Sequence, residues 1–193
     1  ACTPIATIQK NGCTVSTVFD CGSTKTTHTY HGGEFSAVHT YSPDWEFVSY
    51  RYANPKLPRM NHVPDSGRTT NMAELLETGA SQTGGTFLLN TNIIKDRKYI
   101  LSGRNEITGE VELSGRTFQA GRMSRVFERE PGKGGLEFEI DFYVTEDMSL
   151  FVEGSLQRSI MGNNHETFDE SPQSVAWPGD EGFLSAVAVH GCG

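Results

Sequence analysis

The sequence predicts an all-β domain: an antiparallel β-sandwich or closed barrel of roughly ten strands with one short helix. Three observations lead there. Alternation of apolar and polar residues recurs in short segments along most of the 193 residues. Glycine is abundant, at 21 residues, while hydrophobic residues make up only 36%, which suits many strands joined by turns better than a helical bundle. Turn chemistry separates most of the segments. The length fits a single β domain over 1–193.

In chain order, strands are expected near 13–19, 25–31, 34–41, 45–53, 86–94, 97–102, 106–113, 116–129, 136–145, 149–158 and 183–190. Gly32-Gly33, Lys95-Asp96, Ser102-Gly103, Ser114-Gly115 and the run Pro131 to Gly135 read as the turns between them. The helix is expected between Asn71 and Gly79, with Asn71 as N-cap, Glu74 as its capping-box partner and Gly79 as terminator. Met72, Leu75 and Leu76 would then pack on the sheet. Two irregular stretches, 54–70 and 159–182, are long for plain connections and are expected to line a binding mouth.

Four cysteines, Cys2, Cys13, Cys21 and Cys192, lack metal-site spacing and suggest two disulfides, Cys2–Cys192 clasping the termini and Cys13–Cys21 bracketing a strand. Together with a chain that begins at Ala1, they predict an exported protein, secreted or periplasmic, whose signal peptide has been removed. The net charge of −8 argues against nucleic acid and against an anionic membrane surface as partners. The longest apolar runs are far short of the ~20 residues of a spanning helix, so membrane insertion is not expected.

Residues 136–158 read as a hairpin with Glu146-Asp147-Met148 as its connection, which would set Asp141 directly across from Glu153. Arg125, on the preceding strand, would neutralise Asp141 as part of a solvated charge ladder. Alternatively, the two carboxyl groups would act as catalytic acid and base on a glycosidic bond, or hold a cation such as Ca²⁺. The string Glu139-Ile140-Asp141-Phe142 resembles the E-I-D-x-E strand of jelly-roll glycoside hydrolases, with Tyr143 where that pattern carries its acid/base glutamate.

Pairing His31 with Glu34 across Gly32-Gly33 would put His28 and His39 on one face, within reach of a single metal ion. The more ordinary expectation is strand histidines. Trp45, Tyr50 and Tyr52 offer aromatic faces on one strand, and Trp177 sits in the later irregular stretch; these are the candidate ligand-stacking residues. No nucleophile elbow, P-loop or dinucleotide fingerprint occurs, and no cofactor is expected. The reading that follows is a non-catalytic binding protein for a glycan or small apolar ligand. The alternatives are a carbohydrate-active or isomerase-type enzyme using Asp141 and Glu153, and a self-associating subunit of a surface fibre or layer.

Overall fold

The structure, a computed structural model, describes residues 1–193. Fourteen strands form one antiparallel sheet: β1 Thr3–Lys10, β2 Thr14–Asp20, β3 Lys25–His31, β4 Glu34–Tyr41, β5 Phe47–Tyr52, β6 Arg59–His62, β7 Ala80–Thr83, β8 Thr86–Asn90, β9 Arg97–Leu113, β10 Arg116–Glu128, β11 Gly135–Val144, β12 Phe151–Ile160, β13 Asn163–Phe168 and β14 Pro172–Ala176. The spatial order is β13-β12-β11-β10-β9-β8-β6-β5-β4-β3-β2-β1-β14, with β7 paired to β9 off this path. The sheet is not closed: β13 and β14 are free edges, so the barrel alternative falls and a sandwich-like fold stands. Five of the strands (β1, β6, β7, β13 and β14) lie where the sequence suggested none, and β13 and β14 occupy much of the supposed loop 159–182.

One expected turn and one expected strand behave differently. Ser102-Gly103 lies inside a continuous 17-residue β9, where Gly103 at φ +147 passes so close to the Ser124 carbonyl that a side chain has no room. The segment 183–190 is no strand. It runs as a strap along β1, where Thr7 Oγ1 and Gln9 Oε1 accept the backbone N–H groups of Leu184 and Val189 and Gln9 Nε2 donates to the Val187 carbonyl.

The sheet folds over so that β12 faces β4 across the interior. Tyr41 meets Phe151 edge-on at 5.5 Å, and the fully buried Trp45 donates its indole N–H to the Met148 carbonyl at 2.8 Å. Phe47, Phe87, Phe118 and Phe142 continue this aromatic core. The single helix, α1 Met72–Thr78, adds Met72 and Leu75 to it. Gly79 ends the helix at φ +85 as expected, but Asn71 is left-handed at φ +50 and its side chain bonds Glu74 without capping the backbone. The cap comes from afar: Glu46 accepts the N–H groups of Thr70 and Asn71, both at 2.8 Å, together with the Thr69 hydroxyl and the Arg68 guanidinium.

Both disulfide pairings differ from expectation. Cys2 bonds Cys21, and Cys13 bonds Cys192. The reason lies in β2. It separates Cys13 from Cys21 by a full extended strand, about 25 Å at ~3.3 Å per residue, far beyond disulfide reach. Register instead brings Thr3 beside Asp20, which puts Cys2 next to Cys21. The strap in turn delivers Cys192 to the β1–β2 tip, where the Cys13 N–H donates to the His190 carbonyl.

Candidate functional site

Antiparallel connectivity gathers six hairpin connections at one end of the sheet: 11–13, 32–33, 53–58, 91–96, 129–134 and 161–162. The opposite end is stopped by Trp45, Leu150 and Phe118, whose side chains are fully buried. The two ends differ in chemistry because the inward-facing residues change character along each strand. On β1 the series Ala6, Ile8, Lys10 is buried throughout and ends in a lysine. On β10 it runs Met123, Arg125, Phe127, all buried, with the guanidinium between two apolar neighbours. The β4 series Ala37, His39, Tyr41 places an imidazole there as well.

Glu153 of β12 is the hub of this polar interior. Its carboxylate lies 3.4 Å from His39 Nε2 and 3.9 Å from Arg125 Nη1, with the Arg125 guanidinium over the Phe47 ring. Arg125 Nε and Glu153 Oε1 are buried without hydrogen-bond partners, an adjacent donor and acceptor. His39 and Glu153 keep 24% and 15% of their side-chain surface, so solvent reaches the pair. Tyr50 packs on His39 at 4.5 Å and on Tyr52 at 4.8 Å, forming an aromatic wall toward the hairpin tips. At those tips Thr14 Oγ1 bonds His31 Nδ1 at 2.8 Å, and His31 Nε2 faces Glu170 at 3.5 Å.

Burial dominates the titration of this cluster. It lowers the His39 pKa despite the opposing Glu153 carboxylate, so the imidazole is neutral at neutral pH. The Lys10 ammonium is lowered by burial against the pull of Glu170 and Glu153. Tyr41 and Tyr50 are raised, first by burial and then by Glu153 for Tyr41 and by Tyr52 for Tyr50. A neutral imidazole against a carboxylate suits hydrogen bonding to a hydroxylated ligand, and it is also an arrangement used in proton transfer.

The sequence-derived candidates are redistributed. Asp141 does not face Glu153: the β11–β12 connection is one residue longer than expected, with the Thr145 N–H donating to the Leu150 carbonyl, and that register sets Val144 opposite Phe151 and Phe142 opposite Glu153. Asp141 pairs instead with Arg122, at 3.2 Å on the exposed surface. Arg125, the expected partner of Asp141, is the interior cation. His28 and His39 likewise part company. A bulge at Thr29/Tyr30 puts His28 across from Val38 and Thr27 across from His39, so the two imidazoles fall on opposite faces. His28 packs between Phe19 and Phe35, and no group of three or more His, Cys, Asp or Glu side chains is placed to hold a metal.

Trp45, at φ +66 just before β5, is a core residue with no exposed face. Trp177 lies at the opposite end, its ring 3.8 Å beneath the Arg116 guanidinium. Tyr50 and Tyr52 do belong to the polar end. Beside them a hollow of about 250 Å³ opens between the β3–β4 and β5–β6 connections, walled by His31, Glu34, Phe35, Ser36, Tyr52 and Asn54. The chain matches no known protein-family model, no curated protein and no solved structure.

Proposed function

We propose that the protein is an exported, non-catalytic binding protein that takes a glycan at the polar end of the sheet. The supporting observation is the hollow beside Tyr52: a partly exposed aromatic, Phe35, shares its wall with a carboxylate (Glu34), an imidazole (His31) and a carboxamide (Asn54). Sugars present an apolar C–H face and a ring of hydroxyls, and this combination supplies a stacking surface with hydrogen-bonding groups of both senses. The apolar-ligand version of the reading has less support, because the aromatic interior is filled by its own side chains. Two disulfides fit an oxidising compartment outside the cytoplasm.

Thermal-shift screening against a glycan panel tests the reading. A bound sugar at a hundred times its Kd adds about 2.7 kcal/mol and raises Tm by several degrees. Phe35→Ala and Glu34→Gln should abolish that shift while leaving the ligand-free Tm in place. A panel without shifts, or shifts that survive both substitutions, dismisses the site.

The contact between neutral His39 and Glu153 favours a second reading, in which the interior pair moves protons on a bound substrate. Turnover of any panel glycan that disappears in His39→Asn, with binding retained, would decide for the enzyme.

A further inference from the structure

The three neighbouring connections β5–β6, β8–β9 and β10–β11 lie side by side at the polar end, because β5, β6, β8, β9, β10 and β11 are consecutive in the sheet. Residues 54–59, 91–98 and 129–134, these connections with the strand ends beside them, hold seven Lys/Arg against two Asp/Glu, while the remainder of the chain holds nine against 22. The overall charge of −8 therefore conceals a segregated distribution, and it argues against anionic partners only away from this end. Lys95, Arg97, Lys98 and Arg129 surround an open hollow of about 500 Å³, with Glu130 at its margin. Lys56 and Arg59 extend the basic surface along the adjoining tip, where both are exposed.

Apolar side chains protrude among these cations. Ile93, at the summit of the β8–β9 connection, is 87% exposed, and Leu57, on the next connection, is 43% exposed. Ile93 is held up by a fixed loop: Thr91 Oγ1 accepts the N–H groups of Ile93 and Ile94, the Thr91 N–H donates to the Ile94 carbonyl, and Asn90 Oδ1 accepts from Asp96. The β12–β13 turn adds Met161, 59% exposed, whose sulfur lies near the β10–β11 connection at Gly134.

We propose that these tips form a docking surface for an anionic lipid bilayer, with the cations over the headgroups and Ile93 and Leu57 in the interfacial layer. Aliphatic side chains on a rigid rim of cations match the layered chemistry of such a surface, where apolar contact and charge attraction add. A soluble polyanion would reward the lysines and arginines but not Ile93. The docking needs no spanning segment, in keeping with a chain in which no helix is long and apolar enough to cross a membrane. The surface meets the glycan hollow at Leu57 on the β5–β6 connection, but Ile93, Lys95 and Lys98 lie outside that hollow.

Co-sedimentation with vesicles tests it, using phosphatidylcholine alone and phosphatidylcholine with ~30% phosphatidylglycerol. The expected result is partitioning onto the anionic vesicles only, weakening as salt rises. Lys95→Gln with Lys98→Gln should lower the partition coefficient about thirtyfold, taking each surface cation at about a factor of five to six. Ile93→Ser should lower it further at unchanged charge. These side chains are exposed, so an unchanged Tm in each variant certifies the fold. Equal binding to both vesicle types, no binding at low salt, or indifference to Ile93→Ser overturns the proposal. Binding to dextran sulfate but not to vesicles also overturns it, in favour of a polyanion site.

Discussion

Glu153→Gln is the sharpest probe of the polar interior. The substitution conserves shape but removes the carboxylate that faces Arg125 at 3.9 Å and His39 at 3.4 Å, and that also acts on buried Lys10. At an effective dielectric of about 20, one charge pair at that separation is worth about 4 kcal/mol, and removing one partner of a buried ion pair costs 3–5 kcal/mol. For a domain of this size, 1 kcal/mol corresponds to about 2–4 °C, so Tm should fall by about 12 °C at pH 7. Urea unfolding followed by tryptophan fluorescence should show the same loss at an unchanged m-value. Adding Arg125→Met should restore part of the stability, because the orphaned guanidinium is then gone. A fall under about 3 °C, or a double variant no better than the single one, would refute the view of Glu153 as the counter-charge of a buried cluster.

Three further outcomes are expected. Because burial lowers the His39 and His28 pKa values, the unfolded chain takes up protons at these sites before the folded one does. The contribution of these histidines is therefore complete above about pH 6.5 and declines as pH falls from there toward the folded values, by up to about 1.4 kcal/mol per pH unit for His39 and by less for the half-exposed His28, which solvent screens; urea titrations in His39→Asn should show a shallower slope. Burial alone would raise the Glu46 pKa, but the Thr70 and Asn71 N–H groups, the Thr69 hydroxyl and Arg68 together hold it below the usual carboxylate value. Glu46→Ala, which strips those donors, should cost about 3 kcal/mol by calorimetry at pH 7, and that penalty should shrink in acid as the wild-type carboxylate is protonated. The Cys13–Cys192 bond, with a sequence separation of 179, closes nearly the whole chain; replacing both with serine should cost up to about 5 kcal/mol, against about 3 for Cys2 and Cys21. Equal effects of the two double variants in thermal unfolding would count against the loop-length argument.

Strand content and the helix were legible in the sequence because they rest on local alternation and on residues a turn apart, as at Met72, Leu75 and Gly79. Long-range choices were not. One extra residue in the β11–β12 connection and one bulge at Thr29/Tyr30 each reversed which side chains share a face, and neither leaves much trace in an alternating pattern. The interior cation did leave a trace: Arg125 stands two residues from both Met123 and Phe127, an apolar series that marks the inner face more firmly than Val126 does. The basic end was hidden differently. Lys56, Lys95 and Arg129 are dispersed in sequence and meet only because consecutive hairpins turn at the same end.

The crossed arrangement of the two disulfides also governs how the molecule bears force. Tension entering upstream of Cys2 and leaving downstream of Cys192 passes through sulfur to Cys21, back along β2 to Cys13, and out through the second bridge. That route contains only eight backbone steps, about 30 Å when taut. The chain from β3 through the strap hangs in a covalent loop that carries no load, so a tether pulled from both sides could stretch the β1–β2 hairpin and leave every other strand in register.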